Sequence, residues 1–124
     1  MIFKKKNKQN FLDFVPIAKI GFEVDEDTGL IALLIPRFKS EFAQKYLIPK
    51  KKSKFIRANL DEYGSFIYQK IDGKRNVFEI SNLMKDEFGD QVEPVFDRVS
   101  KFLGNLFRYK LIEFQKIKYD FPHE

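Results

Sequence analysis

The sequence predicts an α+β domain: an N-terminal antiparallel sheet of three short strands followed by a bundle of three helices. Two observations carry this. Between residues 20 and 35, apolar residues first alternate and then run in one short block bounded by turn residues, as strands do. From Asp61 onward, apolar residues recur every three or four positions, with capping residues or glycines at the ends of the stretches.

The chain length of 124 residues suits one domain with a core of its own. Its 44% hydrophobic and 33% charged residues fit neither a disordered chain nor a membrane-spanning one. There is no cysteine, and the one histidine is His123. Disulfides, thiolate metal sites and cysteine nucleophiles are therefore excluded, and a histidine metal site or a Ser-His-Asp triad has no footing. Fifteen phenylalanines point to a bulky core, with aromatic surface to spare for a partner.

Met1-Ile2-Phe3 and the run Lys4-Lys5-Lys6 lead into Asn7-Lys8-Gln9-Asn10, not into the apolar stretch of an export signal. Residues 1–10 are expected to be a basic flexible tail, residues 11–124 a single domain, and the location cytoplasmic. Phe11 to Pro16 form an apolar anchor. Ile20, Phe22 and Val24 alternate with Gly21, Glu23 and Asp25, predicting a half-buried strand. Asp25 to Gly29 form a turn, and Leu30 to Ile35 form the second strand of a hairpin stopped by Pro36. In residues 37–53, Phe38, Phe42, Tyr46 and Leu47 have helical spacing, and Pro49 ends that stretch. Lys54 to Leu60 supply a third strand whose lysine-rich approach is typical of a sheet edge.

Asp61 caps a first helix reaching about Ile71, with Leu60, Tyr63, Gly64, Ile67 and Ile71 on its apolar side. Asn76 and Glu79 have capping-box spacing for a second helix, whose core side is Val77, Ile80, Leu83, Met84 and Phe88. The third helix tolerates Pro94 in its first turn and runs to about Lys110. Leu111 to Tyr119 are a weaker strand. The order suggests a winged-helix-like architecture.

No constellation carries chemistry. There is no glycine-rich phosphate loop and no nucleophile elbow. Asp25-Glu26-Asp27 lack the spaced ligands of a calcium loop and fit a solvated turn. No enzyme activity, cofactor or metal is implied. The net charge of +5 is uneven: residues 1–60 hold 13 Lys/Arg against 6 Asp/Glu, and residues 61–124 hold 10 against 12. A DNA-reading winged helix concentrates positive charge on its reading helix. Here Arg98, Lys101, Arg108 and Lys110 share the third helix with Asp97, and Glu93 precedes it, which argues against nucleic acid.

On the third helix, Val92, Val95, Val99, Leu103 and Leu106 form one stripe. Phe96 and Phe107 widen it on one flank, and Phe102 and Tyr109 on the other. Either both flanks are buried, or one lines a groove for a partner, and the periodicity does not say which.

Leu60-Asp61-Glu62-Tyr63-Gly64-Ser65, then Ile71 to Ile80, then Arg98 to Leu106 closing on Leu111-Ile112, resemble the PqqD family, named after pyrroloquinoline quinone biosynthesis protein D. Asn10 to Pro16 and Leu34 to Phe38 are similar to a stand-alone branch of it. Where many relatives have a glycine before the closing Leu-Ile, this chain has Lys110. The resemblance implies a winged-helix fold and the role of a RiPP recognition element. Such a module binds the leader of a ribosomally made precursor peptide as an added strand and presents it to a modifying enzyme, a radical-SAM enzyme being the expected type. On this reading the peptide-binding residues are Lys54, Phe55, Ile56, Arg57, Ala58 and Asn59 of the third strand. Phe96, Leu103 and Phe107 of the third helix form the wall. The basic approach to the strand favours an acidic leader. Two alternatives stand beside it: a homodimerising module using the same edge, and winged-helix DNA binding.

Overall fold

The computed structural model describes residues 10–36 and 55–115. The short helix expected within 37–53, Lys54, residues 1–9 of the basic tail and the last strand beyond Gln115 lie outside them. The strands are β1 (Pro16–Ala18), β2 (Phe22–Val24), β3 (Ile31–Pro36), β4 (Phe55–Asn59) and β5 (Ile112–Phe114). The helices are α1 (Glu62–Gln69), α2 (Val77–Phe88) and α3 (Val95–Arg108). A three-stranded antiparallel sheet, β2-β3-β4, precedes the three-helix bundle, giving the expected winged-helix-like α+β fold.

The β2–β3 hairpin closes through Asp25, whose carboxylate accepts the Asp27 N–H at 2.8 Å. Gly29 takes the positive φ of 78° that the turn needs. Ile31 and Leu33 of β3 are buried, but all three residues of β2 are exposed, so the expected half-buried strand is corrected. β2 is an edge strand of its sheet, and its Phe22 ring meets Tyr68 of α1 edge-on.

The sheet is tied to α1 by two hydroxyls. Ser65 Oγ, 3% exposed, accepts the Ile31 N–H at 3.0 Å and donates to the Leu60 carbonyl at 3.3 Å, bridging the ladder where β3 and β4 meet the helix. Tyr68 Oη donates to the Ile20 carbonyl at 2.7 Å. Burial raises the Tyr68 pKa above its ordinary value.

Asp61 caps α1 by accepting the Gly64 N–H at 2.8 Å. The helix ends at Gln69, two residues short of the expected Ile71, because the Lys70 and Ile71 N–H groups turn back to Ile67 and Tyr68. The capping box of α2 is formed on both sides, Asn76 Oδ1 to Glu79 N at 2.8 Å and Glu79 Oε1 to Asn76 N at 2.9 Å. Pro94 is the N-cap of α3 and not a first-turn residue. Val95, Val99, Leu103 and Leu106 of the expected stripe are buried on α3, whereas Val92, expected on the same helix, is buried in the 3-10 turn Gly89–Val92 before it; together they form the core with Val77, Ile80 and Met84 of α2.

A second, two-stranded sheet pairs β1 with β5 antiparallel, Ile17 opposite Glu113. The sequence shows the segment before β1 only as an apolar anchor. It is a one-turn helix, Phe11–Asp13, whose Phe11 and Phe14 rings meet Phe114 at 5.4 Å each. The Phe14 carbonyl accepts the N–H of Val77, satisfying a donor at the start of α2.

The candidate peptide edge

Which backbone groups β4 offers follows from the hydrogen-bond phase. The Leu60 N–H donates to the Ile31 carbonyl at 2.9 Å. In an antiparallel ladder bonded pairs alternate, and the register places Ala58 opposite Leu33 and Ile56 opposite Ile35. Ala58 and Ile56 therefore spend their N–H and C=O groups on β3. Arg57 and Asn59 turn theirs to the other side, where no described strand pairs.

The side chains alternate in the same way. Ile56 and Ala58 share the helix-facing side with Leu33 and Ile35. Ala58 is half-buried, and Ile56 remains 44% exposed beside the open edge. Arg57 and Asn59 lie on the other face. There Arg57 reaches over β3 to form an ion pair with Glu23 of β2. Beside it, Glu23, Asp25, Thr28, Ala32, Arg57 and Asn59 line part of an open concavity of about 410 Å³.

The two flanks of α3 have different neighbours. Phe102 reaches α1: a Cβ built on Gly64 meets its Cε1 at 3.1 Å, so the missing side chain is what admits the ring. Arg98 on the same flank lies 5.8 Å from the Tyr63 ring centroid and donates to the Val92 carbonyl at 3.1 Å. This flank thus packs on α1, which begins three residues after β4 ends. The other flank points elsewhere. Phe96 stacks on Phe78 of α2 at 5.6 Å, and Phe107 packs on Phe114 of β5 at 5.1 Å. Leu103 is fully buried and presents no surface. Of the residues expected to form the site, the structure thus gathers Phe55 to Asn59 on one strand. It places Phe96 and Phe107 against α2 and β5, and Leu103 in the core. Phe102, named in the sequence only as part of a flank, is the α3 aromatic that reaches α1, the helix that follows β4. The contact at Gly64 is its one local signal, since a glycine within a helix often marks a close approach.

The family model for coenzyme PQQ synthesis protein D (PqqD) matches residues 47–112, from the approach to β4 through the start of β5. This chain belongs to the PqqD family. No curated protein and no solved structure matches it. Membership in PqqD supports a general peptide-recognition role. The match includes β4 and all three helices but not the β2–β3 hairpin. Among the described residues no group of three or more His, Cys, Asp or Glu is placed to hold a metal ion, and no helix is long and apolar enough to cross a membrane.

Proposed function

We propose that this protein is a noncatalytic peptide-binding module. It captures the leader of a ribosomally made precursor by strand addition along β4 and presents it to a modifying enzyme of the radical-SAM type. The observation that carries the reading is the phase of β4, which leaves the N–H and C=O groups of Arg57 and Asn59 turned outward on a sheet edge within the family match. An extended peptide gains affinity from such groups and selectivity from its alternate side chains.

A strand added there directs every second side chain toward Ile56, Ala58 and the Phe102 flank of α3. The others lie over Arg57 and Asn59, where a carboxylate meets a guanidinium with donors left beyond Glu23. In this reading Phe102, with Arg98 beside it, takes the wall role that the family resemblance implies for Phe96, Leu103 and Phe107.

The test is Asn59→Pro. Its N–H faces away from β3, so the proline removes a donor from the open edge and leaves the β3–β4 ladder whole. Leader peptides encoded beside this gene are expected to bind the parent and lose binding to the variant, at unchanged far-UV circular dichroism. Equal binding by both would overturn strand addition at β4.

A further inference from the structure

We infer that β2 is a self-association edge: two copies of this chain pair antiparallel along Phe22–Val24, related by a two-fold axis at Glu23. The hydrogen-bond phase again fixes the geometry. The Leu34 N–H donates to the Gly21 carbonyl at 2.9 Å, and the Asp25 N–H donates to the Leu30 carbonyl at 2.8 Å. Gly21, Glu23 and Asp25 are thus turned toward β3, and Phe22 and Val24 are turned out. Their side chains lie on the core-facing side, opposite Leu33 and Ile31. Yet Phe22 is 39% exposed and Val24 51% exposed, while Leu33 and Ile31 are buried. The strand has no proline or lysine to discourage pairing.

This edge is complementary to itself. With the axis at Glu23, Phe22 faces Val24 of the second copy and Val24 faces its Phe22. The four outward N–H and four outward C=O groups of the two strands can form four hydrogen bonds, and the two apolar pairs cover each other. Gly21 falls opposite Asp25 of the second copy, and a Cβ at Gly21 would find nothing within 4 Å, so that end of the strand is open. The one conflict is Glu23 facing Glu23, since like charges directly opposite repel. Each of these carboxylates is already held by Arg57 on the same, helix-remote face of its own sheet. Arg57 therefore compensates the charge at the axis from two strands away. Two three-residue edges bury far less than the ~1,200–2,000 Å² of a stable complex, so the association is weak and concentration-dependent. It joins two sheets into one of six strands with a β4 edge at each end, and it does not depend on the peptide reading.

The chain has no cysteine, so Glu23→Cys creates a single thiol. At a two-fold, non-hydrogen-bonded position the Cα atoms lie about 4.5 Å apart, within disulfide reach. Under mild oxidation this variant is expected to form a disulfide dimer about tenfold or more faster than Glu26→Cys in the turn. In sedimentation, the parent's weight-average coefficient is expected to rise with concentration. Val24→Pro, which removes an outward N–H and leaves the β2–β3 ladder whole, is expected to abolish the rise, and Arg57→Gln to reduce it. A parent that sediments as a monomer throughout, with Glu23→Cys oxidising no faster than Glu26→Cys, would overturn the proposal. So would a dimer that survives Val24→Pro and is lost in Asn59→Pro, which would place the contact at β4.

Discussion

Replacing Lys110 by glycine is expected to stabilise the protein. The end of α3 has the hydrogen bonds of a Schellman motif: the Leu111 N–H reaches back to the Leu106 carbonyl and the Lys110 N–H to the Phe107 carbonyl, both at 2.9 Å. Leu106 and Leu111, each 6% exposed, supply the hydrophobic contact that accompanies such a cap. The motif requires a left-handed residue, and Lys110 holds φ at 65°. For a residue with a Cβ that conformation costs roughly 1–2 kcal/mol. Glycine removes the cost but adds chain entropy to the unfolded state, offsetting roughly 0.5–1 kcal/mol. The net gain is about 0.75 kcal/mol, or a rise in Tm of about 2–4 °C for a domain of this size. Thermal and urea unfolding followed by circular dichroism would measure it. Lys110→Ala, which keeps the Cβ, is the control and should stay within about 0.5 kcal/mol of the parent. If Lys110→Gly unfolds at or below the parent's midpoint, the backbone at Lys110 is not under the strain assigned to it.

Three further predictions concern the sheet–helix junction and the turn between α1 and α2. Ser65→Ala deprives the buried Ile31 N–H of its partner and is expected to cost about 1–3 kcal/mol in urea unfolding. Gly64→Val drives side-chain atoms into the Phe102 ring and the Asp61 carboxylate, each already within 3.3 Å of a Cβ there. It is expected to lower stability by about 1–3 kcal/mol and to shift the Phe102 ring resonances. The N–H groups of Arg75 and Lys74 hold the Asp72 carboxyl below its usual range, with the Arg75 guanidinium adding a smaller push in the same direction. A carboxyl whose folded pKa is depressed contributes stability above its unfolded pKa and loses it as pH falls through the folded one. Stability should therefore decline below about pH 4, and Asp72→Asn should make that decline shallower in acid titrations followed by circular dichroism.

What could be read from the sequence was what local chemistry determines. Asp61 and the Asn76–Glu79 pair cap their helices within four residues, so spacing alone locates both starts. The α3 stripe identifies its buried face for the same reason. β5 falls within the strand expected from Leu111 to Tyr119, but its pairing with β1 was not legible, because the two three-residue strands lie almost a hundred positions apart and β1 reads only as part of an apolar anchor. Periodicity also measures how wide the apolar arc of α3 is without saying what stands beside each flank. That choice depends on where α1 crosses α3, which Gly64 permits by having no side chain. The exposure of β2 was missed for a related reason. Alternation shows that Phe22 and Val24 share a side of the strand, but not that the strand lies at the edge of the sheet.

The most direct test of peptide capture is a titration of isotope-labelled protein with the leader peptides encoded beside its gene, followed by amide chemical shifts. Capture along β4 is expected to perturb Arg57 and Asn59 and the Phe102 flank of α3, with Phe96 and Phe107 little changed. Saturable binding that shifts Phe78, Phe96 and Phe107 while leaving β4 unmoved would contradict it.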